Sequence, residues 1–205
     1  MTVSNRQTKI SQATFKTLRD RFGWCASWAI WSSAAATAKS GIADLEDFED
    51  AKLDQTLGLL HADVIFVGLN ISRELGLKNF SNFHSDNPAG QDYKLRHALE
   101  GTPFWGAYMT DIIKGFEEVS SVKLMAALRS DHTLEQANVR TFLEEIDLMG
   151  AKDPLLVALG NDAHKILRRN LEGRFRIARV PHYATYVAPQ AYREKVLEAL
   201  AAFPR

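Results

Sequence analysis

The sequence predicts an α/β domain with a three-layer α/β/α arrangement, a central, mainly parallel sheet of four strands, and extra helices at the N-terminus. Short β-branched runs alternate with stretches of helical periodicity, which is typical of a parallel sheet covered by helices on both faces. The chain has 205 residues, 46% of them hydrophobic, which is enough for the core of one domain. We therefore expect a single domain over residues 1–205.

Residues 1–60 are predicted to form a helical extension packed on this domain. The apolar side chains that recur there at helical spacing are Phe15, Leu18, Phe22, Trp24, Trp28 and Trp31. This spacing predicts one helix over residues 12–39, with the tryptophans packed as core against the sheet. A second, acidic amphipathic helix is expected over residues 44–60.

Four short apolar runs are predicted to be the strands of the sheet. They are ADVIFVG at 62–68, WGAYMTDI at 105–112, DPLLVALG at 153–160 and RFRIARVP at 174–181. Helices are predicted at 91–101, 122–129, 134–150, 161–171 and 189–202. Asn161 or Asp162 is expected to cap the helix after the third strand. The polar segment 70–90 is expected to be a long loop, and such loops are more often functional than not.

Parallel sheets of this kind bind ligands beyond the carboxyl ends of their strands. That rule draws attention to the residues at or just past the end of each predicted strand. They are Asn70, Asp111, Asn161, Asp162 and His182. We therefore expect a binding or catalytic site at this edge of the sheet.

Composition excludes several classes of protein and site. Lysine plus arginine and aspartate plus glutamate both number 25, so no global field points to nucleic acid, a membrane or an acidic substrate. Cys25 is the single cysteine, which excludes an internal disulfide and four-cysteine metal sites. The N-terminus lacks the apolar core of a signal peptide, and no apolar run approaches ~20 residues. The expectation is a cytoplasmic monomer that binds no membrane and no metal.

Four motifs, VGLNIS, GAYMTDIIK, LLVALGNDAHKIL and VPHYATY, occur in this order at the predicted strand ends. Together they resemble the uracil-DNA glycosylase superfamily, and in particular its mismatch-specific and thymine-DNA glycosylase branches, whose first motif has the form Gly-x-Asn-Pro. The resemblance covers residues 62–200, and residues 1–60 lie outside it. Each motif alone is common, but the four in order are moderately specific.

The resemblance implies a DNA glycosylase that flips a base into a pocket and hydrolyses its bond to the sugar without metal or cofactor. By likeness, Asn70 matches the residue of the first motif that holds the water. His182 matches the histidine of the second motif, whose ring N–H would stabilise the departing base. The substrate-binding candidates are Gly68, Leu69, Phe80, Phe83, Asp111 and Thr185, with the two phenylalanines offering an aromatic face.

Positive charge concentrates near the third and fourth strands, where DNA phosphates could bind. The candidate backbone contacts are Arg168, Arg169, Arg174 and Arg176, with Arg179 close by. The more common reading of such a cluster is a solvated helix end, since cations favour helix C-termini.

The motifs depart from the family in three places. Ile71 stands where the family usually has proline, and His182-Tyr183-Ala184-Thr185 replaces His-Pro-Ser. Asp111 stands where the family often uses asparagine to read uracil. Asparagine both donates and accepts hydrogen bonds, whereas ionised aspartate only accepts. Asp111 therefore indicates a different base, a protonated carboxyl or no glycosylase activity.

Each candidate also has a structural reading. Asn70 is explained as a turn residue, and His182 as a hydrogen-bonded structural histidine. Asp111 is explained as a cap of a helix over residues 112–119, and Phe80 and Phe83 as loop packing.

Two alternative functions stay open beside the glycosylase. One is a nucleic-acid or nucleobase-binding module that kept the fold and lost efficient chemistry. The other is an unrelated α/β enzyme acting on a small nucleotide. A basic stripe across the mouth of the pocket would favour DNA, whereas a pocket lined by Asp111 and Asp162 would favour the small nucleotide.

Overall fold

The computed structural model describes residues 8–31, 39, 45–71, 78–85 and 87–203. The strands are β1 (Ala26–Trp28), β2 (His61–Asn70), β3 (Ala107–Ile113), β4 (Leu155–Leu159) and β5 (Arg176–Val180). The α-helices are α1 (Gln12–Phe22), α2 (Leu53–Thr56), α3 (Tyr93–Leu99), α4 (Ser121–Ser130), α5 (His132–Met149), α6 (Asn161–Leu171) and α7 (Pro189–Ala201). The chain is therefore a mixed α/β protein whose strands alternate with helices, as the sequence predicts.

Within the described residues the sheet has five strands, in the order β1-β3-β2-β4-β5, and not the four that the sequence predicts. Strands β3, β2, β4 and β5 are parallel, and the short edge strand β1 runs antiparallel to β3. All the parallel strands therefore point their carboxyl ends toward one edge of the sheet, where a ligand site is expected.

The extra strand lies inside the segment 12–39 that the periodicity predicts to be one helix. Helix α1 ends at Phe22, and Ala26–Trp28 pairs instead with Tyr108–Thr110 of β3. Pairing with an open sheet edge outweighs helical periodicity here, because it satisfies the backbone of three buried residues. Residues 32–38, in the rest of that prediction, lie outside the described residues.

The predicted amphipathic helix over 44–60 is also wrong. The described part, from residue 45, forms a 3₁₀ turn at Glu46–Phe48, the single turn α2 and a second 3₁₀ turn at Leu57–Leu59. Gly58, a poor helix former, sits in the last of these turns. Its carbonyl accepts a hydrogen bond from Nζ of Lys9 at 2.7 Å, which ties the segment to the N-terminal part of the chain.

The predicted side-chain cap of α6 is wrong as well. The capping position is Gly160, and no side chain caps the helix. Asn161 instead accepts a hydrogen bond from the guanidinium of Arg179, and Asp162 pairs with Lys165 at 2.9 Å.

Two hydrophobic clusters occupy the two faces of the sheet. One contains side chains from α1, α4, α5 and α6, among them Phe15, Phe142 and Ile166. The other contains side chains from α3 and α7, among them Leu95 and Tyr192. Helices therefore pack against both faces. Among the helices that the structure describes, none is long and apolar enough to cross a membrane.

Replacement of Trp28 by alanine tests the position of β1. Trp28 is fully buried, and its ring centroid lies 4.9 Å from that of Tyr108 and 6.3 Å from that of Phe15. We expect the variant to lose about 3–5 kcal/mol of unfolding free energy, measured by urea denaturation.

Trp24→Ala is the matched control, because the side chain of Trp24 is 50% exposed. We expect this change to cost less than about 0.5 kcal/mol. A continuous helix would place both tryptophans on one face, so equal losses from the two variants would contradict β1.

Candidate functional site

A cleft of about 530 Å³ opens at the carboxyl ends of the parallel strands. Its walls come from the ends of β2, β3 and β4, the first turn of α6, and the loops that precede α3 and follow β5. The described residues that form it include Gly68, Leu69, Asn70, Ser81, Asn82, Phe83, Asp92, Asp111, Gly160, Asp162, His182 and Tyr183. Residues far apart in the sequence thus meet at the edge where parallel sheets bind ligands.

Asn70 ends β2 with its side-chain amide held by backbone carbonyls. Nδ2 donates toward the carbonyl oxygens of Ile71 at 3.0 Å, Phe116 at 3.1 Å and Glu118 at 2.9 Å. Three acceptors around one nitrogen assign the orientation of the amide. Oδ1 is consequently the atom that Asn70 retains for a water or a ligand, and it is an acceptor only.

His182 follows β5 and is fixed in one tautomer. Its Nδ1 accepts a hydrogen bond from the backbone N–H of Ala184 at 3.1 Å, so the ring proton is on Nε2. Burial lowers the pKa of His182 below its ordinary value of 6.5. The ring is therefore neutral at pH 7 and offers a single N–H donor.

The turn between β4 and α6 packs against this histidine. Gly160 has φ of +98°, and a Cβ built there would lie 3.3 Å from Cβ of His182. The ring of Tyr183 stacks on that of His182, with centroids 4.3 Å apart. The hydroxyl of Tyr192 in α7 donates to the carbonyl of Pro181 at 3.0 Å. These contacts restrict the position of the imidazole.

Asp111 lies on β3, where it pairs in register with Gly68 of β2. A Cβ on Gly68 would lie 2.1 Å from Oδ1 of Asp111, so only glycine permits this approach. Asp111 is 3% exposed, and burial raises the pKa of its carboxyl to about 6. The alternative reading, in which Asp111 caps a helix over 112–119, is wrong because β3 continues to Ile113.

Phe83 forms one wall of the cleft. Its ring would lie 3.1 Å from a Cβ on Gly68 and meets the ring of Tyr183 edge-on, with centroids 6.5 Å apart. The backbone of Phe83 has φ of +66°, which is rare for a residue that is not glycine. The surrounding hydrogen bonds hold this conformation, since the Phe83 carbonyl accepts from the indole of Trp31 at 3.3 Å.

Phe80 and Thr185 do not line the cleft, unlike the other substrate-binding candidates. Phe80 is fully buried and packs against Phe15, with ring centroids 5.3 Å apart, and against Trp28 and Phe48. Its ring has no free face for a ligand, so the contacts of Phe80 fit the structural reading, in which it packs the loop. The carbonyl of Thr185 accepts a hydrogen bond from Nζ of Lys94 at 2.9 Å.

None of the four candidate phosphate-binding arginines lines the cleft. Arg168 pairs with Glu172, Arg169 with Glu135, and Arg176 with Asp153. Arg174 lies over the ring of Phe175, 5.1 Å from its centroid. Acidic partners thus neutralise three of the four guanidinium groups. Arg179 instead donates to the neutral side chain of Asn161, a residue of the cleft wall.

The cleft lining is acidic. Asp92, Asp111 and Asp162 contribute to it, and no lysine or arginine does so among the described residues. Asp92 accepts from the backbone N–H of Ser85 at 2.7 Å. The part of the chain that the structure describes contains no group of three or more His, Cys, Asp or Glu side chains that could hold a metal ion.

Asn82 is a cleft residue that sequence reasoning missed. Its Nδ2 donates to Oδ2 of Asp111 and to the carbonyl of Cys25, both at 2.8 Å. The signal in the sequence was the polar loop 70–90 as a whole. Nothing local distinguishes Asn82 from the other polar residues of that loop.

Comparison with protein-family models finds no match to this chain, and comparison with curated proteins finds no significant match. Support for a function therefore comes from the geometry of the cleft and from the four sequence motifs.

Replacement of Asp111 by asparagine tests whether burial raises the pKa of this carboxyl. The carboxyl has a pKa near 6 in the folded protein and an ordinary value of 3.8. The folded state therefore binds the proton more tightly than the unfolded state does. The wild type consequently loses stability as pH rises from about 4 to about 6, because the buried carboxyl must then ionise. We expect Asp111→Asn to gain stability relative to the wild type over this window, on the order of 2–3 kcal/mol in total.

The measurement is urea denaturation at intervals from pH 4 to pH 7.5. Asp153→Asn, at a carboxylate whose side chain is 66% exposed, is the control for removing a carboxylate from the surface. A constant difference for Asp111→Asn across the window would contradict the raised pKa.

Replacement of Gly68 by alanine tests the contact between β2 and β3. The added Cβ would overlap Oδ1 of Asp111 and crowd the ring of Phe83. We expect a loss of about 1–3 kcal/mol in unfolding free energy. Gly58→Ala is the matched control, since nothing lies within 4 Å of the Cβ there. Equal stabilities of the two variants would contradict the close packing of Gly68 on Asp111.

Proposed function

We propose that this chain is a DNA glycosylase-like hydrolase within a three-layer α/β/α domain. It would flip a uracil-like or deaminated base into the cleft and hydrolyse the N-glycosidic bond. The observation that carries the proposal is that Asn70 and His182 border one cleft whose wall is the ring of Phe83. The four-motif resemblance supports the roles of the first two residues.

His182 supplies the hydrogen-bond donor for the departing base. Breaking the bond leaves negative charge on the base, which a preorganised N–H stabilises in a site sheltered from water. The hydrogen bond from Ala184 to Nδ1 keeps the proton on Nε2. Burial keeps the ring neutral by lowering the pKa, so the residue stabilises charge by donating a hydrogen bond.

Asn70 orients the water that attacks the sugar. Its Oδ1 accepts a hydrogen bond from that water, while the carbonyls of Phe116 and Glu118 hold Nδ2 in place. An amide does not remove a proton at neutral pH. This role therefore suits a reaction in which the bond is largely broken before water attacks, because a cationic sugar needs no strong nucleophile. The proton that the attacking water loses passes to solvent, and the released anionic base takes up a proton from solvent.

Phe83 provides a planar apolar surface for the base. Its ring lies beside the backbone of Gly68 and meets the ring of Tyr183 edge-on, and it lines the cleft. A flipped base loses its stacking in the helix, and contact with an aromatic ring recovers part of that free energy.

A second candidate is an α/β hydrolase acting on a free nucleoside or small nucleotide. The observation that favours it is the acidic lining by Asp92, Asp111 and Asp162, without a lysine or arginine among the described lining residues. DNA binding usually gains most of its affinity from cations placed on phosphates. A neutral nucleoside does not require them.

The test is a strand-cleavage assay after alkali on labelled single- and double-stranded DNA. The DNA carries uracil, hypoxanthine, xanthine or a mismatched thymine, and the matching free nucleosides are assayed in parallel. We expect Asn70→Ala and His182→Ala each to lower excision by about 10²-fold or more. His132→Ala, at an exposed histidine outside the cleft, is the control and should retain full activity.

The substrates separate the candidates. Excision from DNA that depends on Asn70 and His182 supports the glycosylase. Release of bases from nucleosides alone would replace it with the small-substrate enzyme. No release from any substrate by folded protein would contradict both and leave the nucleobase-binding module, tested by binding of the same oligonucleotides.

A further inference from the structure

Asn82 uses every hydrogen-bonding group of its side chain inside the protein. Nδ2 donates to the carbonyl of Cys25 and to Oδ2 of Asp111, both at 2.8 Å. Oδ1 accepts from the backbone N–H of Phe83 at 3.1 Å. The residue is buried, so the amide has no freedom to rotate without breaking a bond that water would not replace.

These bonds leave the two oxygens of Asp111 in different situations. Oδ2 is occupied by Asn82, while Oδ1 accepts no hydrogen bond from the described residues and lies against the backbone of Gly68. Asp111 belongs to the cleft wall. Oδ1 is therefore the oxygen that remains for a bound group.

We propose that Asn82 is a positioning residue for Asp111 and that the two residues form an acceptor site for the ring or exocyclic N–H of a planar heterocycle. The choice of a heterocycle rests on the proposed function, whereas the positioning of Asp111 by Asn82 does not.

The amide of Asn82 fixes the orientation of the carboxyl and also affects its charge. Its hydrogen bond to Oδ2 favours the ionised form and lowers the pKa of Asp111, against the larger effect of burial, which raises it. Without this bond the carboxyl would hold its proton to higher pH. A protonated carboxyl presents an O–H donor, which suits a carbonyl and not an N–H.

Other charges also act on Asp111. Lys114 lowers its pKa and Glu145 raises it, and the thiol of Cys25 lies within electrostatic reach. Asp92, Asp162 and His182 also line the cleft. None of these groups forms a side-chain hydrogen bond to the Asp111 carboxylate, so Asn82 is distinguished from them by direct contact within the described residues.

A purely structural role for Asn82 is the competing explanation, because the side chain also ties its loop to Cys25. That role affects stability and leaves the titration of Asp111 unchanged. The titration of the Asp111 carboxyl carbon, followed by ¹³C NMR and assigned with Asp111→Asn, separates the two. We expect Asn82→Ala to raise the midpoint by roughly one pH unit.

Asn170→Ala is the matched control. The Asn170 amide also donates to one carboxylate, Glu135 at 2.7 Å, and one backbone carbonyl, Ile166 at 2.9 Å, but outside the cleft. It should leave the Asp111 midpoint unchanged. Asn82→Ser retains a short donor and should give a smaller shift than alanine, and it decides the question if Asn82→Ala does not fold. An unmoved midpoint in the folded variant would overturn the positioning role.

The acceptor site is tested by calorimetric binding of uracil and hypoxanthine against 3-methyluracil and 1-methylhypoxanthine at pH 7.5. Each methylated probe lacks one ring N–H. We expect the wild type and Asn170→Ala to prefer the parent base by about tenfold, as a lost hydrogen bond to a charged group requires. Asn82→Ala should reduce that preference.

Equal binding of parent and methylated bases, or no binding of any base, would overturn the acceptor site. Neither measurement requires the glycosidic bond to be cleaved. Failure of the proposed hydrolysis therefore leaves both results interpretable, and failure of this proposal leaves the hydrolysis assay valid.

Discussion

The contact between the backbone of Gly68 and the carboxylate of Asp111 is the constraint on which the cleft depends. Strands β2 and β3 lie in register at this point, and a side chain on β2 would occupy the place of Oδ1. The missing Cβ lets a charged group sit in the wall of the cleft, with the ring of Phe83 beside it. An ordinary apolar pair at this register would fill the end of the sheet and leave no carboxylate there.

A buried carboxylate such as that of Asp111 needs stabilising contacts nearby, and residues of β3, of α5 and of the position that follows β3 contribute to them. Nζ of Lys114 lies 2.6 Å from Oε1 of Glu145 and donates to the backbone carbonyl of Asp111. The hydroxyl of Tyr108 donates to the other oxygen of Glu145 at 3.0 Å. The negative charge of Glu145 thus balances the positive charge of Lys114, so Lys114 does not also balance the negative charge of Asp111. This explains why burial outweighs the nearby cation and the pKa of Asp111 is raised.

Strands β2 to β5 and their helices were predictable because each is a local pattern: a β-branched run, then a stretch of helical period. Strand β1 was not, since three residues carry no period, and the pairing with Tyr108 that fixes them lies elsewhere in the chain. For the same reason Asn70, Asp111 and His182 could be selected by the strand-end rule, whereas Asn82 could not. It meets Asp111 across 29 residues of sequence, through a loop whose path depends on tertiary contacts.

Three polar side chains of the cleft each have one atom that already forms a hydrogen bond within the protein, so the other atom is the one left for a ligand. The backbone N–H of Ala184 donates to Nδ1 of His182, which leaves Nε2–H as a donor. Nδ2 of Asn82 donates to Oδ2 of Asp111, which leaves Oδ1 as an acceptor. The backbone carbonyls around Nδ2 of Asn70 leave a second acceptor. In each case the free atom has a fixed role because reversing it would break a hydrogen bond within the protein. His182, Asp111 and Asn70 therefore present one donor and two acceptors of defined identity, which favours a heterocycle that carries both a carbonyl and an N–H over one that carries carbonyls alone.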